Sequence, residues 1–426
     1  MRGTTYVKVG IVLMPLLFGG QPVSAQTVDA ETLRQEIAQL RKDFEARLSE
    51  LEARLTAASG SQTAPVAQPP AGPTTVEVPA GAAGAGGPSG ALPVYGPASV
   101  ASKIFNPDMA IVGDFLGAAG RNTVKPSPAL EMHESELSLQ AIVDPYARAD
   151  FFVAFGTEGA EVEEGFITFP TLPGGLLMKA GKLRAAFGKV NTMHNHILPW
   201  TDRPLVTNNL VGGEEGMSDA GISVARLISN PWVFLEATGE IYRGTSEVFS
   251  SATRDDLSYV GRLRGYRDLT DNANVDLGAS YARGGSAIAG KVGEPRFHTN
   301  MWGLDAAVRW RPLQRAIYRS FLGRSELVWR RDEHFAGQER TFGFYASGDY
   351  QLARRWFAGV RYDRADRVGE AGQRDSGQSA TLTYRPSEYS QVRGQYRRVT
   401  YAEGPVANEL LFQLLFSIGA HGAHSF

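Results

Sequence analysis

The sequence predicts an all-β fold, an antiparallel transmembrane β-barrel of about sixteen strands, preceded by an N-terminal α-helical coiled-coil segment. From about residue 108 onward, segments of about ten residues alternate apolar and polar side chains between turn residues. Short and long connections also alternate between these segments. The mean hydropathy of −0.20 is the average expected when lipid-facing and water-facing side chains alternate along each strand.

The composition excludes several classes of function. The chain has 426 residues, 48 of them Gly, and no Cys, which removes disulfides, thiolate catalysis and Cys-based zinc sites. A net charge of −2 indicates neither a nucleic-acid partner nor an anionic membrane surface. The sequence has no phosphate-cradling Gly loop and no dinucleotide fingerprint, so no cofactor is predicted.

Residues 1–25 have the pattern of a secretory signal peptide. Arg2 and Lys8 precede an apolar stretch at 9–18 that is too short to span a bilayer as a helix. Val23, Ser24 and Ala25 then offer a small-residue cleavage site. An uncleaved anchor is the alternative.

Residues 26–58 are predicted to form a helix with one apolar stripe. Its members recur with a period of eleven residues, which favours a straight or slightly right-handed bundle. The stripe consists of Leu33, Ile37, Leu40, Phe44, Leu48, Leu51 and Leu55. A lone helix would expose this stripe to water, so we expect self-association; packing onto the chain's own barrel is the alternative. Residues 59–103, rich in Ala, Gly and Pro, are predicted to be a flexible linker.

The barrel is predicted over residues 104–426. Its sixteen strands are placed near 109–117, 131–142, 146–156, 162–170, 176–184, 219–228, 232–243, 257–269, 273–283, 299–311, 318–331, 340–352, 355–364, 377–386, 389–400 and 407–420. Fourteen or eighteen strands remain alternatives. Connections after even-numbered strands are short and those after odd-numbered strands are mostly long, which predicts that both chain ends lie on the periplasmic side.

The last strand carries an apolar stripe that ends in an aromatic residue. Phe412, Leu414, Phe416 and Ile418 share the parity of the terminal Phe426. This ending resembles the strand that outer-membrane proteins present to their assembly machinery, although Gly422 and His424 depart from the pattern.

Charged residues on one parity of the strands are predicted to line the lumen, because a charge facing lipid costs a few kcal/mol near the midplane. The predicted lining residues are Arg262, Arg264, Arg309, Arg324, Arg330, Arg361, Arg393, Arg397, Glu236, Glu240, Asp305 and Glu326. Such a lumen should be polar and hydrated, and Arg ladders favour anions. Alternatively, these residues form structural ion pairs that brace the wall.

The longest connection, about 185–218, follows the fifth strand and is predicted to narrow the pore, since loops of this length are usually functional. Its candidate constriction residues are His194, His196, Asp202, Arg203, Glu214 and Glu215. An outward cap or a trimer contact is the alternative.

The histidines have metal-like spacing in two places, at 194 and 196 and at His421 and His424, and His133 could approach the first pair. The sequence favours surface histidines over a metal site at these positions. It also has no Ser-His-Asp nucleophile pattern, so an enzyme is not predicted.

Residues 181–188, Gly-Lys-Leu-Arg-Ala-Ala-Phe-Gly, close the fifth strand and open the long connection. This segment resembles the signature of phosphate-selective porins, although Ala186 stands where that family usually has Pro. The resemblance implies a trimeric sixteen-stranded channel; some relatives, including dicarboxylate-type porins, carry an N-terminal periplasmic coiled coil. Phosphate specificity is not implied, because the basic residues of the barrel are mostly Arg rather than Lys.

Together these patterns predict an outer-membrane porin that lets small hydrophilic solutes, ions among them, diffuse passively with mild anion preference. Its expected partners are membrane lipid, two further copies of the chain in a homotrimer and the barrel assembly machinery. One alternative is a structural barrel that tethers the outer membrane to the cell wall through the coiled coil. A less favoured one is an outer-membrane enzyme such as a lipase or protease.

Overall fold

The computed structural model describes residues 107–156, 159–251, 253–286, 297–334 and 337–419, together with Gln39 and Lys42. The chain divides into two compact units, 1–83 and 84–426. Gln39 and Lys42, both helical, belong to the first unit, and everything that follows concerns the second. The predicted signal peptide, the remainder of the 26–58 helix, the 59–103 linker, His421, His424 and Phe426 lie outside the described residues.

The described part of the second unit forms sixteen strands, which confirms the predicted number. Their bounds are β1 Asp108–Arg121, β2 Leu130–Asp144, β3 Ala147–Gly156, β4 Gly159–Leu172, β5 Leu176–Arg184, β6 Ser218–Leu227, β7 Phe234–Tyr242, β8 Ser258–Thr270, β9 Ala273–Gly285, β10 His298–Trp310, β11 Phe321–His334, β12 Gly337–Ala353, β13 Trp356–Asp366, β14 Arg374–Ser387, β15 Ser390–Thr400 and β16 Val406–Gly419.

Each strand pairs antiparallel with its neighbours in the chain, and β1 pairs with β16, so the sheet closes into a barrel. The last strand supplies the closing register, in which Phe115 lies opposite Leu414 and Val112 opposite Ser417. Closure satisfies the backbone groups of both edge strands, which an open sheet would leave unpaired.

Alternation along the strands separates an apolar exterior from a polar interior. In β13, Val360 and Tyr362 are exposed on the outside, while Arg361 and Asp363 are buried on the inside. Outward aromatic rings contact one another across strands, as between Trp329 and Phe342, whose ring centroids lie 5.2 Å apart. An exterior of this kind fits a lipid environment.

The connections differ in length between the two ends of the barrel. At one end, here called the turn end, the strands are joined by connections such as 145–146, 173–175 and 388–389. At the other, the loop end, the longest connection runs from 185 to 217 and is here called the inward loop. Among the described residues, no helix has the length and apolarity needed to cross a membrane.

The inward loop contains two 3₁₀ turns, Val190–Thr192 and Asn195–Ile197, and one short helix, α1, Leu205–Leu210. Its apolar side chains are buried together with side chains from the loop-end halves of the strands. From the loop these are Phe187, Val190, Leu198, Trp200, Val206 and Leu210; from the strands, Val260, Ala282, Met301 and Ala365. An apolar layer therefore fills part of the lumen beside its polar side chains.

Candidate functional site

The inward loop crosses the interior of the barrel. It leaves β5, and its Ala186 N–H donates to Glu240 of β7 at 2.8 Å. Further along, Arg330 of β11 donates to the Leu210 carbonyl at 2.9 Å, and Arg361 of β13 donates to the Asp202 carbonyl at 2.9 Å. Because β5 and β13 stand on opposite sides of the ring, a segment that touches both must lie within the lumen.

The structure places all twelve predicted lining residues at inward positions of their strands. Glu236 and Arg309 lie towards the turn end, whereas Glu240 and Glu326 contact the inward loop. Most of the inward Arg residues are paired with carboxylates. The pairs are Arg262–Asp305 at 2.9 Å, Arg264–Asp276 at 2.8 Å, Arg324–Asp349 at 2.7 Å, Arg330–Asp332 at 2.8 Å, Arg361–Asp363 at 2.7 Å and Arg397–Glu409 at 2.6 Å.

Arg393 of β15 differs from these six paired arginines. It is 2 % exposed and donates to Thr383 Oγ1 at 3.1 Å and to Gln413 Oε1 at 2.8 Å. Among the described residues, no carboxylate forms an ion pair with it. Its guanidinium therefore carries a buried charge that its direct partners do not neutralise.

Asp202 fixes the far side of the inward loop to the wall. Its carboxylate lies 3.0 Å from Arg361 Nη2 and 3.0 Å from Arg397 Nη1, and accepts a further hydrogen bond from Gln395. Burial alone raises the pKa of this carboxyl, but the two guanidinium groups and Gln395 outweigh it and lower the pKa to about 2. Asp202 is therefore ionised at any physiological pH.

Trp200 supports the same contact from the apolar side. Its ring meets Tyr345 edge-on with centroids 5.3 Å apart, and the Arg361 guanidinium lies 4.8 Å from the Trp200 ring centroid. This cation–π contact adds to the ion pair that holds Asp202.

Arg203 closes the inward loop on itself. Its guanidinium donates to Asn195 Oδ1 at 2.9 Å, to the Val190 carbonyl at 3.1 Å and to the Met193 carbonyl at 2.6 Å. Burial lowers the pKa of this side chain to about 10, which still leaves it charged at neutral pH. These hydrogen bonds hold separate parts of the inward loop together.

The two remaining loop acids lie towards solvent at the loop end. Glu214 and Glu215 are exposed, and Glu214 Oε1 lies 3.7 Å from His133 Nε2. Partial burial raises the pKa of Glu215.

The two loop histidines are buried, so the interpretation of them as surface residues was wrong. His194 is 2 % exposed and His196 is 6 % exposed. His194 Nδ1 lies 2.7 Å from carboxylate oxygens of both Glu136 and Glu163, and its Nε2 lies 2.9 Å from Glu164. Burial alone lowers the pKa of His194, but the hydrogen bonds with these three carboxylates raise it well above the usual value.

Strict alternation assigns neighbours in sequence to opposite faces, yet Glu163 and Glu164 both reach His194. The pairing of β3 with β4 shifts register at this point, since Phe152 lies opposite Glu164 and Val153 opposite Val162. The unpaired Glu163 is a β-bulge, and the bulge turns two consecutive carboxylates inward.

Sequence reasoning missed the acidic wall that receives His194. Glu134 and Glu136 share the inward parity of β2, a signal that was available in the sequence. Arg184, which donates to Glu163 Oε1 at 2.8 Å, was also missed as a functional contact.

Two cavities flank the inward loop along the wall made by β1, β2 and β14–β16. The cavity nearer the loop end, about 290 Å³, is lined by Lys125, His133, Asp202 and Arg397 among others. The one nearer the turn end, about 210 Å³, is lined by His196, Leu198, Arg385 and Arg393 among others. The loop therefore separates two cavities, each of which is lined by basic side chains.

Comparison with known proteins gives a sequence relative but no family. No family model matches the chain. An uncharacterized protein of Aquifex aeolicus (strain VF5) is 29% identical over 397 residues, which cover 79% of this chain and 83% of that protein.

Comparison with solved structures gives outer-membrane proteins as neighbours. A loop-deletion mutant of OmpT, an outer membrane protein of Vibrio cholerae, superposes with a TM-score of 0.50 at 10% identity, covering 73% of this chain and 98% of the other. The outer membrane channel DcaP of Acinetobacter baumannii gives a TM-score of 0.49 at 11% identity, with 74% and 96% covered. The OmpT resemblance supports the barrel fold.

Proposed function

We propose that this chain is an outer-membrane porin through which small hydrophilic solutes diffuse passively. The observation that carries the proposal is a long connection folded inside a closed sixteen-strand barrel, between walls rich in charge. An apolar exterior and a polar interior are what a transmembrane channel requires. The barrel of OmpT, an outer membrane protein, has the same fold, which supports the location.

The path we propose runs between the inward loop and the wall formed by β1, β2 and β14–β16. The two cavities lie on this side of the loop, one towards each end of the barrel. Arg203 and Arg397 line the cavity nearer the loop end, and Arg385 and Arg393 line the one nearer the turn end, so a solute would meet two guanidinium groups on either side of the loop.

Selectivity in this proposal is a mild preference for anions. The carboxylates paired with most inward arginines cancel much of the field of a basic ladder, which keeps the preference weak. Arg393 and Arg385, whose direct hydrogen-bond partners are neutral, contribute positive charge that no ion pair among the described residues offsets.

We further propose that the chain belongs to the phosphate-selective porin class, forms a homotrimer and carries a periplasmic coiled coil. The eleven-residue period at 33–55 supports self-association. Recognition by the barrel assembly machinery is supported by β16, where Phe412, Phe416 and Ile418 are exposed on the outside.

We also propose that the protein is not an enzyme. Both ring nitrogens of His194 bond to carboxylates, so this imidazole is engaged in the wall rather than poised as a base beside a nucleophile.

The test is a deletion in the inward loop. Removing 195–215 and closing the gap with a short Gly-Ser turn should raise single-channel conductance in planar bilayers severalfold, because the segment that obstructs the lumen is gone. Deleting 369–372, an exposed connection between β13 and β14, is the matched control and should leave conductance unchanged. If the folded 195–215 deletion conducts like the wild type, the solute path does not pass the inward loop.

A further inference from the structure

Three side chains of types that commonly bind metal ions lie close together inside the barrel, where the inward loop contacts β2. Glu134, Glu136 and His196 bring one ligand atom each to within 4.8 Å of the others. All three residues are buried, with 7 %, 1 % and 6 % of their surface exposed. Two carboxylates and an imidazole are a donor set that transition metals accept.

A second observation concerns Glu134 alone. Its Oε2 accepts a hydrogen bond from Asn195 Nδ2 at 3.3 Å, whereas Oε1 is buried with no hydrogen-bond partner among the described residues. A buried carboxylate oxygen without a donor is strongly unfavourable, because it loses its hydrogen bonds to water on burial and no protein hydrogen bond replaces them. A bound cation would supply the partner that this oxygen lacks among the described residues.

We propose that Glu134, Glu136 and His196 bind one divalent transition-metal ion, of which Zn²⁺ is the representative. His196 Nδ1 and Glu136 Oε2 lie 3.6 Å apart. Two ligand atoms held by one ion at about 2 Å are roughly 3 to 3.5 Å from each other in tetrahedral geometry. Small adjustments of the side chains therefore suffice to complete the site.

The mixed donor set selects the class of ion. Ca²⁺ and Mg²⁺ prefer oxygen ligands only and usually more of them than three protein side chains offer. An imidazole nitrogen with two carboxylates suits Zn²⁺, Fe²⁺ or Mn²⁺, and three protein ligands leave a position for water.

Hydrogen bonds from neighbouring side chains fix the orientation of the proposed ligands, as metal sites require. Glu136 Oε2 bonds to His194 Nδ1 at 2.7 Å, and His194 is held in turn by Glu163 and Glu164. Asn195 bonds to Glu134, and Arg203 orients Asn195 through its Oδ1. Such outer contacts fix ligand orientation and raise affinity.

Charge also favours a cation here. Four carboxylates, those of Glu134, Glu136, Glu163 and Glu164, surround the two imidazoles. Arg184 pairs with Glu163 and His194 bonds to three of the carboxylates, which offsets part of their charge, while Arg203 donates to carbonyl and amide oxygens instead of carboxylates. A divalent ion would offset the remaining negative charge and would join the inward loop to the barrel wall through His196 and β2. This site does not depend on which solute the barrel passes.

The experiment uses the full chain in detergent, stripped with a chelator, and then titrated with Zn²⁺. Bound metal is measured by elemental analysis, and thermal unfolding is followed with and without Zn²⁺. We expect one tightly held ion per chain and a higher unfolding temperature when it is bound. Glu134→Gln and His196→Asn should each weaken binding at least about tenfold. His133→Asn, a nearby histidine outside the triad, should bind Zn²⁺ like the wild type.

Glu134→Gln keeps the test decisive even if other variants fold poorly. An amide removes the buried charge at that position, so in chelator this variant should be at least as stable as the wild type, yet Zn²⁺ should not stabilise it further. A wild-type chain that retains no Zn²⁺, or a Glu134→Gln chain that binds it as tightly as the wild type, would overturn the proposal. So would loss of binding in His133→Asn, because the site would then lie elsewhere.

Discussion

Arg393 is a buried inward arginine whose direct hydrogen-bond partners are neutral. It bonds to the neutral side chains of Thr383 and Gln413, whereas Arg397, four residues further along β15, is held by Glu409 and Asp202. A guanidinium stays charged at any physiological pH and acts as a fixed positive potential in a wall of low dielectric. Arg393 is therefore the residue at which charge selectivity should be tested.

We expect Arg393→Gln to move the zero-current potential of the channel in a salt gradient towards cation preference. Arg393→Lys should leave the potential near the wild-type value, because it keeps the charge. Arg398→Gln, on the outward face of the same strand, is the control for a general effect of losing an arginine. The shift should shrink as salt concentration rises, since ions screen the field. A wild-type channel that prefers cations at low salt would indicate that exposed acids such as Glu214 dominate instead.

Asp202 gives a second prediction at this scale, on pH. The groups that face it are Arg361 on β13 and Arg397 with Gln395 on β15, and the two arginines also hold Asp363 and Glu409. The pKa of Asp202 is lowered to about 2, below the value of about 4 in an unfolded chain. Its contribution to stability is therefore fully present above about pH 4 and is lost as pH falls towards 2.

Single-channel noise and protease sensitivity of the inward loop should thus remain unchanged between pH 7 and about pH 5, and increase only below about pH 4. Asp202→Asn lacks the ionised carboxylate, so it should show a loosened loop already at pH 7 and less additional change in acid. The prediction is wrong if the wild-type loop loosens near pH 6, which would indicate another titrating group.

At the scale of elements, the inward loop depends on close approach of its backbone to the wall. Gly188 has a φ of 61°, and its N–H donates to Ser280 Oγ at 3.2 Å while its carbonyl accepts from Arg262 at 2.7 Å. A Cβ at this position would lie 1.6 Å from Glu326 Oε1. Glycine is therefore required both by the backbone conformation and by space.

Gly188→Ala should destabilise the barrel more than Gly213→Ala, its matched control in the same loop. Gly213 has a φ of 69°, but a Cβ there would meet only Asn208 Oδ1 at 3.7 Å. Both variants bear the left-handed penalty of roughly 1 kcal/mol. Gly188→Ala also displaces the buried carboxylate of Glu326, which costs about 1–3 kcal/mol more if its bonds are lost. Urea unfolding of the two variants measures the difference, and equal midpoints would contradict the assigned contact.

The strands could be predicted from the sequence because side chains alternate with a period of two wherever one face meets lipid. In β13, for example, the sequence alone separates inward Arg361 from outward Tyr362. The partners of the inward loop could not be predicted, since Asp202 meets residues 159 and 195 positions further along the chain. The inward position of Glu163 could not be predicted for a different reason. A register shift breaks the alternation at this residue, and the residue types there do not indicate the shift.

At the scale of the whole molecule, the lumen has two kinds of interior. Around the inward loop, apolar side chains such as Phe187, Val206 and Met301 pack as in a soluble core. Elsewhere the wall is a set of ion pairs, of which Arg262–Asp305 is one. The interior is therefore stabilised by both kinds of contact, and the solute path that we propose runs on one side of the loop.

The oligomer is the subject of the last prediction. Deleting residues 27–58 should weaken a trimer without unfolding the barrel, because the eleven-residue stripe predicts a self-associating helix outside the strands. Native mass spectrometry in mild detergent measures the subunit number, and a shift in mobility on heating checks that the barrel is folded. A full-length chain that is monomeric at every concentration would refute the trimer.

The long-range contacts of the inward loop have a consequence for how the protein acquires its fold. The loop belongs to the first half of the chain, but Arg330, Arg361 and Arg397, which bind it, are separated from their loop partners by 120, 159 and 195 residues. Contacts of such sequence separation form late and slowly, since a large loop must close before they are gained. We therefore expect docking of the inward loop to be a slow step of folding. A barrel in which this step is incomplete would expose the apolar side chains of the loop, such as Phe187 and Val206, to chaperones.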